Sequence, residues 1–332
     1  MVKLMFFSFL VVLCSCKKED LVQIEGKTMG TTYKVLYFPE QNTPETKIVS
    51  RLIQKELNKV NSIMSTYQND SELSRVNQGP SQSWLGISRD LTNVLVEAKR
   101  TYDLSNGLYD VTIGPLVNLW GFGPKGQRKV PSQIEIEKAR KKVGMSKVKL
   151  DQKRSRLYKE QNDLNIDLSS LAKGHGVDQV ARYLKGLGIG NFLVEVGGEM
   201  ALKGHKWEKP WKVAIEGPGQ ANGIHKVLSI TNFNLATSGN YRNYFKENNQ
   251  IYSHTINVKT GRPVPNEIIS VTILDKNSCM RADALSTALM AMGKEAAIKL
   301  SKEQKLISYI IINKGDNKTE IYKSPEFIKL FP

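Results

Sequence analysis

Apolar and polar positions follow two different rhythms along this chain, and the segments that carry them are interleaved. Apolar side chains three or four residues apart are typical of amphipathic helices, and strict alternation is typical of half-buried strands. The helical spacing predicts helices over residues 43–64, around Leu73, and over residues 89–104, 131–143, 165–187 and 281–303, the last with Gly293 as a candidate break.

The alternating rhythm predicts strands near the start of the chain and through most of its second half. Residues 23–38 form a predicted strand that Gly26 and Gly30 interrupt. Residues 148–150 and 157–158 predict one hairpin, and residues 306–312 and 319–322 predict another. Further strands are predicted over residues 191–202, 211–215, 226–231, 241–245, 251–258 and 268–274. Because strands meet as hairpins more often than as strand–helix–strand crossovers, we predict an α+β fold with a largely antiparallel sheet and packed helices.

Three glycine-containing segments do not fit either rhythm. Residues 107–124 are rich in Gly and aromatic residues, and are equally consistent with a loop that caps the core and with a platform for a ligand. Gly197–Gly198 lies inside a predicted strand, which indicates a bulge or the close approach of another backbone or a ligand. Residues 237–242 are polar and are typical of a turn between strands.

The first residues carry a targeting pattern rather than part of a fold. Lys3 precedes an apolar run over residues 4–13, which is too short for a permanent membrane helix and ends in Leu13-Cys14-Ser15-Cys16. This pattern predicts a bacterial lipoprotein signal peptide over residues 1–16, with Cys16 as the lipidated N-terminus after cleavage. An ordinary secretory signal with a chance Cys is the alternative. We expect a short tether over residues 17–24 and one domain over residues 25–330.

A multiply acylated Cys16 would anchor the chain stably to a bacterial membrane. No second apolar stretch is long enough to span a bilayer, so the sequence predicts a soluble body that faces the periplasm on a lipid anchor. With Cys14 removed and Cys16 acylated, only Cys279 remains, and a lone thiol cannot form an internal disulfide.

Composition narrows the classes of partner. The 332 residues are 40% hydrophobic, which is enough for a substantial core, and the formal net charge is +16. The basic residues are not interleaved with stacking aromatic residues and form no known nucleic-acid module, so we expect no nucleic-acid partner. We interpret the charge as a solvated face near an anionic membrane, part of which attracts a phosphate-bearing ligand.

Several familiar chemistries are disfavoured. The chain contains neither a Walker A sequence nor a Gly-x-Ser-x-Gly elbow. The glycines at positions 186, 188 and 190 do not form a dinucleotide-binding fingerprint, because they come at the end of a predicted helix and not before one. We interpret them as a helix C-cap and a tight turn. The histidines at positions 175, 205, 225 and 254 show no metal-ligand spacing, so a zinc site is not expected. His254, on a predicted strand, is the best candidate for a general base, although a lone strand histidine is more often structural.

Two clusters of oxygen donors remain as candidate sites. Asp283 lies three residues before Ser286 and four before Thr287, so a helix would place all three side chains on one face. Such hard donors suit Mg²⁺ or Ca²⁺, and the alternative is that they cap the helix and face water. The second cluster, Asp167 with Ser170 and Lys173, lies at the predicted start of another helix, where anions are favoured; its alternative is a cap with a solvated lysine.

Taken in order, these segments resemble the motifs of the ApbE family of FAD:protein FMN transferases. The matching segments are residues 28–33, 64–67, 70–72, 109–123, 167–174, 196–199, 237–241, 254, 260–263 and 282–287. The chain departs from the family at Asn257–Val258, where Asp-Pro is usual, and at His175, where an aromatic residue is common. The resemblance implies an ApbE-like catalytic domain related to the T-fold.

The resemblance also implies the ligands and the residues that bind them. Mg²⁺ would be bound by Asp283, by Ser286 or Thr287, and by the backbone carbonyl of Ser170. His254 would deprotonate the attacking hydroxyl. The flavin nucleotide of FAD would be bound by Met29, Tyr67, Leu108, Tyr109, Asp110, Asp167, Lys173 and Ile256.

The implied reaction is Mg²⁺-dependent transfer of FMN from FAD to a Thr or Ser hydroxyl of an acceptor protein, with release of AMP. The implied acceptors are flavoprotein subunits of membrane redox complexes of the Nqr and Rnf types. Two alternatives stay open from the sequence. One is an Mg²⁺-dependent FAD pyrophosphatase that yields FMN and AMP, and the other is a flavin-binding lipoprotein without catalytic activity.

Overall fold

The structure is a computed structural model that describes residues 20–332 apart from Lys125, residues 219–222, Arg242, Asn249 and residues 316–317. The predicted signal peptide, including Cys16, and residues 17–19 of the predicted tether lie outside the described residues, and the last residues of that tether belong to β1, which begins at Val22. The helices are α1 (Thr46–Met64), α2 (Glu72–Gln78), α3 (Arg89–Leu104), α4 (Gly114–Leu119), α5 (Gln133–Arg140), α6 (Ser169–Gly186), α7 (Cys279–Met292), α8 (Lys294–Glu303) and α9 (Pro325–Leu330). The strands are β1 (Val22–Thr28), β2 (Thr31–Tyr37), β3 (Trp84–Gly86), β4 (Val148–Asp151), β5 (Arg156–Lys159), β6 (Phe192–Val196), β7 (Glu199–Lys203), β8 (Trp211–Glu216), β9 (Ile224–Ile230), β10 (Phe233–Gly239), β11 (Tyr244–Glu247), β12 (Gln250–Ser253), β13 (Ile256–Asn257), β14 (Arg262–Pro263), β15 (Ile268–Asp275), β16 (Ile307–Asn313) and β17 (Thr319–Lys323).

An eight-stranded sheet runs through the centre of the fold in the order β1-β2-β6-β7-β10-β15-β16-β17. Every neighbouring pair in it is antiparallel. The predicted α+β class with a largely antiparallel sheet is therefore confirmed. Among the described residues, no helix combines the length and the apolar content that a membrane span requires.

Both faces of the central sheet are covered, because its strands alternate between two apolar clusters. In β6, Phe192 and Val194 pack with apolar side chains of α1 and α6, whereas Leu193 packs on the opposite side with the β8–β9 hairpin. Farther along the sheet, β15 and β16 pack against α7 and α8. The helices α1, α6 and α7 thus form one layer, and the ends of α6 and α7 define the candidate site described below.

The glycines of the sheet behave differently from the sequence prediction. Gly26 does not interrupt β1, because it pairs with Tyr33, whose ring lies over it. The chain reverses instead at Met29 and Gly30, which both have positive φ (49° and 71°). The prediction of a break at Gly30 is confirmed, and the prediction of a break at Gly26 is wrong.

The sequence pattern also misplaced several strands. The predicted strand over residues 191–202 is a hairpin, since Gly197–Gly198 forms the turn between β6 and β7 and not a bulge within one strand. Residues 237–239, predicted as part of a turn, belong to β10 in the centre of the sheet. The predicted strand over residues 251–258 divides into β12 and β13 around His254. The break at Gly293 is confirmed, and it separates α7 from α8.

Candidate functional site

The helices α6 and α7 are in close contact at Gly174. A Cβ at this position would lie 2.6 Å from the carbonyl oxygen of Cys279 and 2.7 Å from Cα of Met280. Because no side chain separates the two helices here, the backbone N–H of Gly174 donates a hydrogen bond to Oδ2 of Asp283 at 2.9 Å. One turn farther along α6, Asp178 accepts hydrogen bonds from the backbone N–H groups of Cys279 and Met280. The start of α7 is therefore fixed to α6 at Asp283 and at the residues that precede it.

Asp283 is buried and does not cap its helix. The cap of α7 is Ser278, whose Oγ accepts a hydrogen bond from the backbone N–H of Arg281 at 3.1 Å. Only 2% of Asp283 is exposed, and this burial raises the pKa of its carboxyl group to about 6, although the positive charge of Lys173 acts in the opposite direction. The alternative that Asp283 is a water-facing cap is wrong.

Hydroxyl groups of α7 and β10 are linked to one another and to the backbone carbonyl of Asp283. Oγ of Ser286 donates to the backbone carbonyl of Asp283 at 2.9 Å and lies 2.7 Å from Oγ of Ser238. Oγ of Ser238 is also 3.0 Å from Oγ1 of Thr287. The structure thus brings together Asp283, Ser286 and Thr287 as the helical spacing predicted, and it adds Ser238 from the central sheet. We call these four residues the oxygen cluster.

The second predicted cluster lies at the start of α6. Oδ1 of Asp167 accepts a hydrogen bond from the backbone N–H of Ser169 at 2.8 Å, so this carboxylate does help to cap the helix. Oγ of Ser170 lies 2.8 Å from the hydroxyl oxygen of Tyr109, which joins the predicted flavin-binding segment to α6. Since the side chain of Ser170 is engaged by Tyr109, its backbone carbonyl is the group that remains for a metal ion.

Lys173, on the same helix, forms an ion pair with a residue of the central sheet. Its Nζ lies 2.5 Å from Oε1 of Glu199, a residue of β7 that is only 1% exposed. Burial and the nearby charge of Asp283 raise the pKa of Glu199 to about 8, against the opposing effect of Lys173. Burial also tends to lower the pKa of Lys173, but the charges of Asp283 and Glu199 outweigh it, so that pKa is raised. The alternative of a freely solvated lysine is therefore wrong.

The predicted flavin-binding segment at residues 108–110 is held by buried hydrogen bonds. Oδ1 of Asp110 accepts from the backbone N–H and from Oγ1 of Thr112, and Oδ2 accepts from the backbone N–H of Met145. Leu108 and the hydroxyl end of Tyr109 are the parts of the segment that reach the start of α6 or the surface. The carboxylate of Asp110 therefore fixes the shape of the segment, which is a positioning contribution.

The segment over residues 107–124 is consistent in sequence with a loop that caps the core and with a platform for a ligand. The structure supports the first interpretation for its second half, and leaves the second open for its first half. Its second half packs into the core, where Trp120 is fully buried with Ile256 and donates from Nε1 to the carbonyl oxygen of Gly261 at 2.8 Å. Its first half lies against Ser170 through Tyr109. Ile256, one of the predicted flavin contacts, is buried in β13 beside Trp120 and is 3% exposed.

Met29 and Tyr67 differ in how closely they approach α6. Met29 lies in the β1–β2 turn with its Cε 2.8 Å from the place where a Cβ of Gly176 would stand, so its side chain lies on α6. Tyr67 is 71% exposed and follows α1 in a loop that Ser65 closes. Its ring faces solvent and is not packed against the oxygen cluster.

His254 stands between β12 and β13 in a defined tautomer. Its Nδ1 lies 3.1 Å from the carbonyl oxygen of Asn243, which can only accept a hydrogen bond, so we assign the proton to Nδ1 and the free lone pair to Nε2. Burial lowers the pKa of His254, and the charge of Lys173 acts in the same direction. A general base must be neutral before it can accept a proton. The lowered pKa of His254 favours this neutral form of its imidazole.

The donor set of the site fits Mg²⁺ by its chemistry. Within residues 20–332, as far as they are described, no group of three His, Cys, Asp or Glu side chains could hold a metal ion. The oxygen cluster has a different composition, namely one buried carboxylate and three hydroxyl groups, to which the resemblance adds the backbone carbonyl of Ser170. Mg²⁺ in phosphate sites is commonly bound by one or two carboxylates together with the phosphates and water. This composition suits it.

The fold and the site define a class: an α+β protein with one antiparallel sheet and an oxygen-rich site between two adjacent helices. The sequence matches the ApbE family over residues 29–311. It is 42% identical over 322 residues to the protein from Vibrio cholerae named FAD:protein FMN transferase, which covers 96% of this chain and 95% of that protein. A Haemophilus influenzae protein of the same name is 41% identical over 327 residues, with 96% and 94% of the two chains covered.

A solved structure points the same way. The structure described as flavin transferase ApbE from Vibrio cholerae superposes with a TM-score of 0.87 at 40% identity, and covers 94% of this chain and 99% of that chain. The chain belongs to the ApbE family, and the resemblance drawn from its motifs is confirmed.

Two residues of the site had no role in the sequence prediction. Ser238 and Glu199 both lie in segments that matched family motifs, yet each was interpreted only as part of a turn or a bulge. A glutamate directly after a Gly-Gly turn, at the start of an apolar strand, is the signal that singles out Glu199. For Ser238 the signal is a run of hydroxyl residues, Thr237-Ser238, where a strand interior is expected to be apolar.

Proposed function

We propose that this chain is an FAD:protein FMN transferase, which transfers FMN from FAD to a Thr or Ser hydroxyl of an acceptor flavoprotein and releases AMP. The observation that carries the proposal is the buried carboxylate of Asp283, which a backbone hydrogen bond from Gly174 holds between α6 and α7, on a helix whose Ser286 and Thr287 hydroxyl groups contact Ser238. A carboxylate in this setting is costly to bury unless a cation accompanies it in function. In a member of the ApbE family, that cation and the FAD pyrophosphate explain why it is retained.

In the proposed reaction the acceptor hydroxyl attacks the phosphorus on the riboflavin side of the FAD pyrophosphate. A new phosphorus–oxygen bond joins FMN to the acceptor, the bond to the bridging oxygen breaks, and AMP leaves with that oxygen. The proton of the hydroxyl passes to Nε2 of His254, whose lone pair is free because Nδ1 donates to Asn243. Reactions of this type depend on positioning and charge neutralisation more than on covalent catalysis by the protein.

The flavin nucleotide is bound along the face of α6. Lys173 and the positive end of the α6 dipole favour the pyrophosphate, and Met29, Leu108, Tyr109 and Ile256 supply apolar or aromatic contacts. Asp110 and Asp167 hold the neighbouring backbone, and the exposed ring of Tyr67 is free to pack on the ligand.

A metal ion belongs to the same proposal. Asp283, Ser286 or Thr287, and the carbonyl of Ser170 would hold Mg²⁺, with Ser238 orienting the two hydroxyl groups of α7. When bound, Mg²⁺ neutralises the charge that develops on the phosphates.

Incubation of the purified protein with FAD, Mg²⁺ and an acceptor flavoprotein tests the proposed reaction. We expect release of AMP and a mass gain on the acceptor equal to covalent FMN. Asp283→Asn should lower this rate by about 100-fold or more, because it removes the charge that binds the cation. The matched variant Asp90→Asn, in a carboxylate of α3 that pairs with Lys59, should keep the parent rate.

Two other outcomes would contradict the transferase proposal. Free FMN and AMP without a mass gain on the acceptor would make the protein a pyrophosphatase. Tight binding of FAD without AMP release would make it a flavin-binding protein.

We also propose that the chain is a lipoprotein anchored through Cys16 with its domain in the periplasm, where it meets flavoprotein subunits of Nqr- or Rnf-type complexes. The support is the sequence of residues 1–16, with one lysine, a short apolar run and Leu13-Cys14-Ser15-Cys16. Expression of Cys16→Ser beside the parent tests the anchor, because the parent should enter the membrane fraction and incorporate labelled palmitate. A parent protein found without lipid in the soluble periplasmic fraction would exclude the anchor.

A further inference from the structure

The turn between β6 and β7 carries a Gly-Gly-Glu sequence that meets Lys173 at two points. We propose that Glu199 is a positioning residue, which together with the bare turn at Gly197 fixes Nζ of Lys173 where the FAD pyrophosphate binds. The proposal rests on the proposed function, because it deepens the role of Lys173 in binding FAD.

Gly197 accommodates the aliphatic part of Lys173. Its φ of 56° lies in the left-handed region that favours glycine. A Cβ at Gly197 would lie 2.8 Å from Cγ2 of Thr31 and 3.2 Å from Cδ of Lys173, so the lysine stem passes directly over the turn. The turn itself is closed by Gly198, whose backbone N–H donates to Oε1 of Glu195 at 2.6 Å. A larger residue at Gly197 would strain the backbone and push the stem aside.

Glu199 fixes the charged end of the same side chain. As the first residue of β7 it pairs with Val196 across the hairpin, so its backbone is rigid. Oε1 lies 2.5 Å from Nζ of Lys173, whereas Oε2 is buried and has no hydrogen-bond partner among the described residues. An ion pair between a partly exposed lysine and a buried carboxylate with an unsatisfied oxygen is a poor source of stability. Its clear effect is to hold a long flexible side chain in one conformation.

The pairing leaves Lys173 able to bind an anion. An ammonium group has three donors, and Glu199 uses one of them, which leaves two for phosphate oxygens. The same carboxylate places a negative charge near the bound pyrophosphate. If Glu199 acted only through its negative charge, its removal would tighten FAD binding. If it positions Lys173, its removal would weaken FAD binding. The sign of the change separates the two.

Equilibrium binding of FAD, followed by flavin fluorescence in EDTA so that no turnover occurs, tests the proposal. Glu199→Ala should raise the dissociation constant by about 10-fold, and Glu199→Gln by less, because the amide oxygen still accepts from Nζ. In a Lys173→Met background, Glu199→Ala should change the constant by less than about 2-fold, since there is no lysine to position. Tighter binding by Glu199→Gln, or additive effects in the cycle, would overturn the proposal.

Two matched controls separate positioning from damage to the fold. Glu97→Gln alters a half-buried carboxylate on α3 whose buried Oε1 likewise has no hydrogen-bond partner among the described residues, and it should leave FAD binding unchanged. Gly197→Ala should weaken binding because its Cβ meets Lys173. Gly198→Ala strains the same turn (φ 100°), yet meets no atom within 4 Å and should lower only the melting temperature. Equal binding by these two turn variants would argue against the contact with the lysine stem.

The readouts also distinguish this proposal from the proposed function. If the parent labels an acceptor with FMN but Glu199→Ala binds FAD as the parent does, the positioning role falls and the transferase stands. If the parent transfers no FMN, the transferase falls, and the Lys173–Glu199 binding cycle still decides whether the pair positions the ligand.

Discussion

Asp283 shows how a single residue can oppose folding and still define a site. Its carboxyl group is buried, with one backbone hydrogen bond from Gly174 and the nearby charge of Lys173 in partial compensation. Isolated buried charges are destabilising, and proteins relieve them by shifting the pKa towards the neutral form. The protein without a cation therefore carries an electrostatic strain that binding of a cation would release.

The pH dependence of stability should expose this strain. The pKa of Asp283 is raised from its ordinary 3.8 to about 6, so between these values the folded state holds a proton that the unfolded state releases. Stability of the metal-free protein should fall across this interval as the pH rises. Asp283→Asn should remove that loss, a difference on the order of 2 kcal/mol in the free energy of unfolding. Urea denaturation at intervals from pH 4 to pH 7 measures it, and parallel profiles for parent and variant would contradict the burial of the charge.

At the scale of residues, the sequence revealed those partners that share an element. Asp283, Ser286 and Thr287 could be grouped because helical geometry relates positions three and four apart. Glu199 and Ser238 could not be assigned roles, since they reach the site only when separate strands pair in the central sheet. A one-dimensional pattern holds no information on such pairing unless the strand order is already known.

The contact between α6 and α7 is the element on which the site depends. Gly174 has no space for a side chain against Cys279 and Met280, and its backbone N–H reaches Asp283 only at this short separation. Any residue larger than glycine must move one helix away from the other.

Substitution of two glycines of α6 by alanine should therefore have opposite effects on stability. Gly174→Ala should lower the free energy of unfolding by about 1–3 kcal/mol through overpacking, and it should reduce FAD turnover by separating Asp283 from α6. Gly186→Ala, at the exposed end of the same helix with no atom within 4 Å, should raise stability by about 0.5–1 kcal/mol and leave turnover unchanged. Denaturation midpoints and turnover for the two variants decide this. Equal stability of the two would show that the helices are not in close contact.

Helices with regular apolar spacing could be predicted from the sequence. The strands that contribute residues to the candidate site could not. Apolar spacing alone predicts the helices α1 and α3, and Gly293 marks the interruption after α7. The strand β10 was missed because its polar Thr237 and Ser238 face hydroxyl partners on β15 and α7 instead of an apolar core. The sequence of the β6–β7 hairpin resembles one continuous strand, because both halves are apolar and only Gly197–Gly198 divides them.

The charge of the whole molecule should influence how it meets its ligand. The net charge is +16, and the pyrophosphate of FAD is an anion, so long-range attraction should add to the contacts proposed at Lys173. Raising the salt concentration from about 50 mM to about 500 mM should weaken FAD binding several-fold, because the Debye length falls below the distance between surface charges and the ligand.

Riboflavin, which lacks phosphate, provides the control for this effect. Its dissociation constant should change little over the same range of salt. Binding of FAD that is equally insensitive to salt would show that the surface charge plays no part in recognition. The comparison uses the same fluorescence assay as the binding cycle above.

For the molecule as a whole, the class of fold and the family followed from the sequence, and the strand order did not. The succession of hairpins indicated an antiparallel sheet, and many motifs in one order indicated the ApbE family. The placement of β10 between β7 and β15 depends on contacts between residues far apart in sequence, such as Leu235 with Met200 and Leu274. Local periodicity cannot supply those contacts.

The late position of α7 in the chain has a consequence for biosynthesis. Ribosomes make a chain from its N-terminus, so Met29, Tyr109 and Lys173 emerge well before Asp283 and Thr287. A nascent chain that still lacks α7 has no carboxylate to complete the site, and helix α6 has an uncovered surface at Gly174. Under the proposed role of Asp283, incomplete products of translation would bind no cation at this site and would not consume FAD.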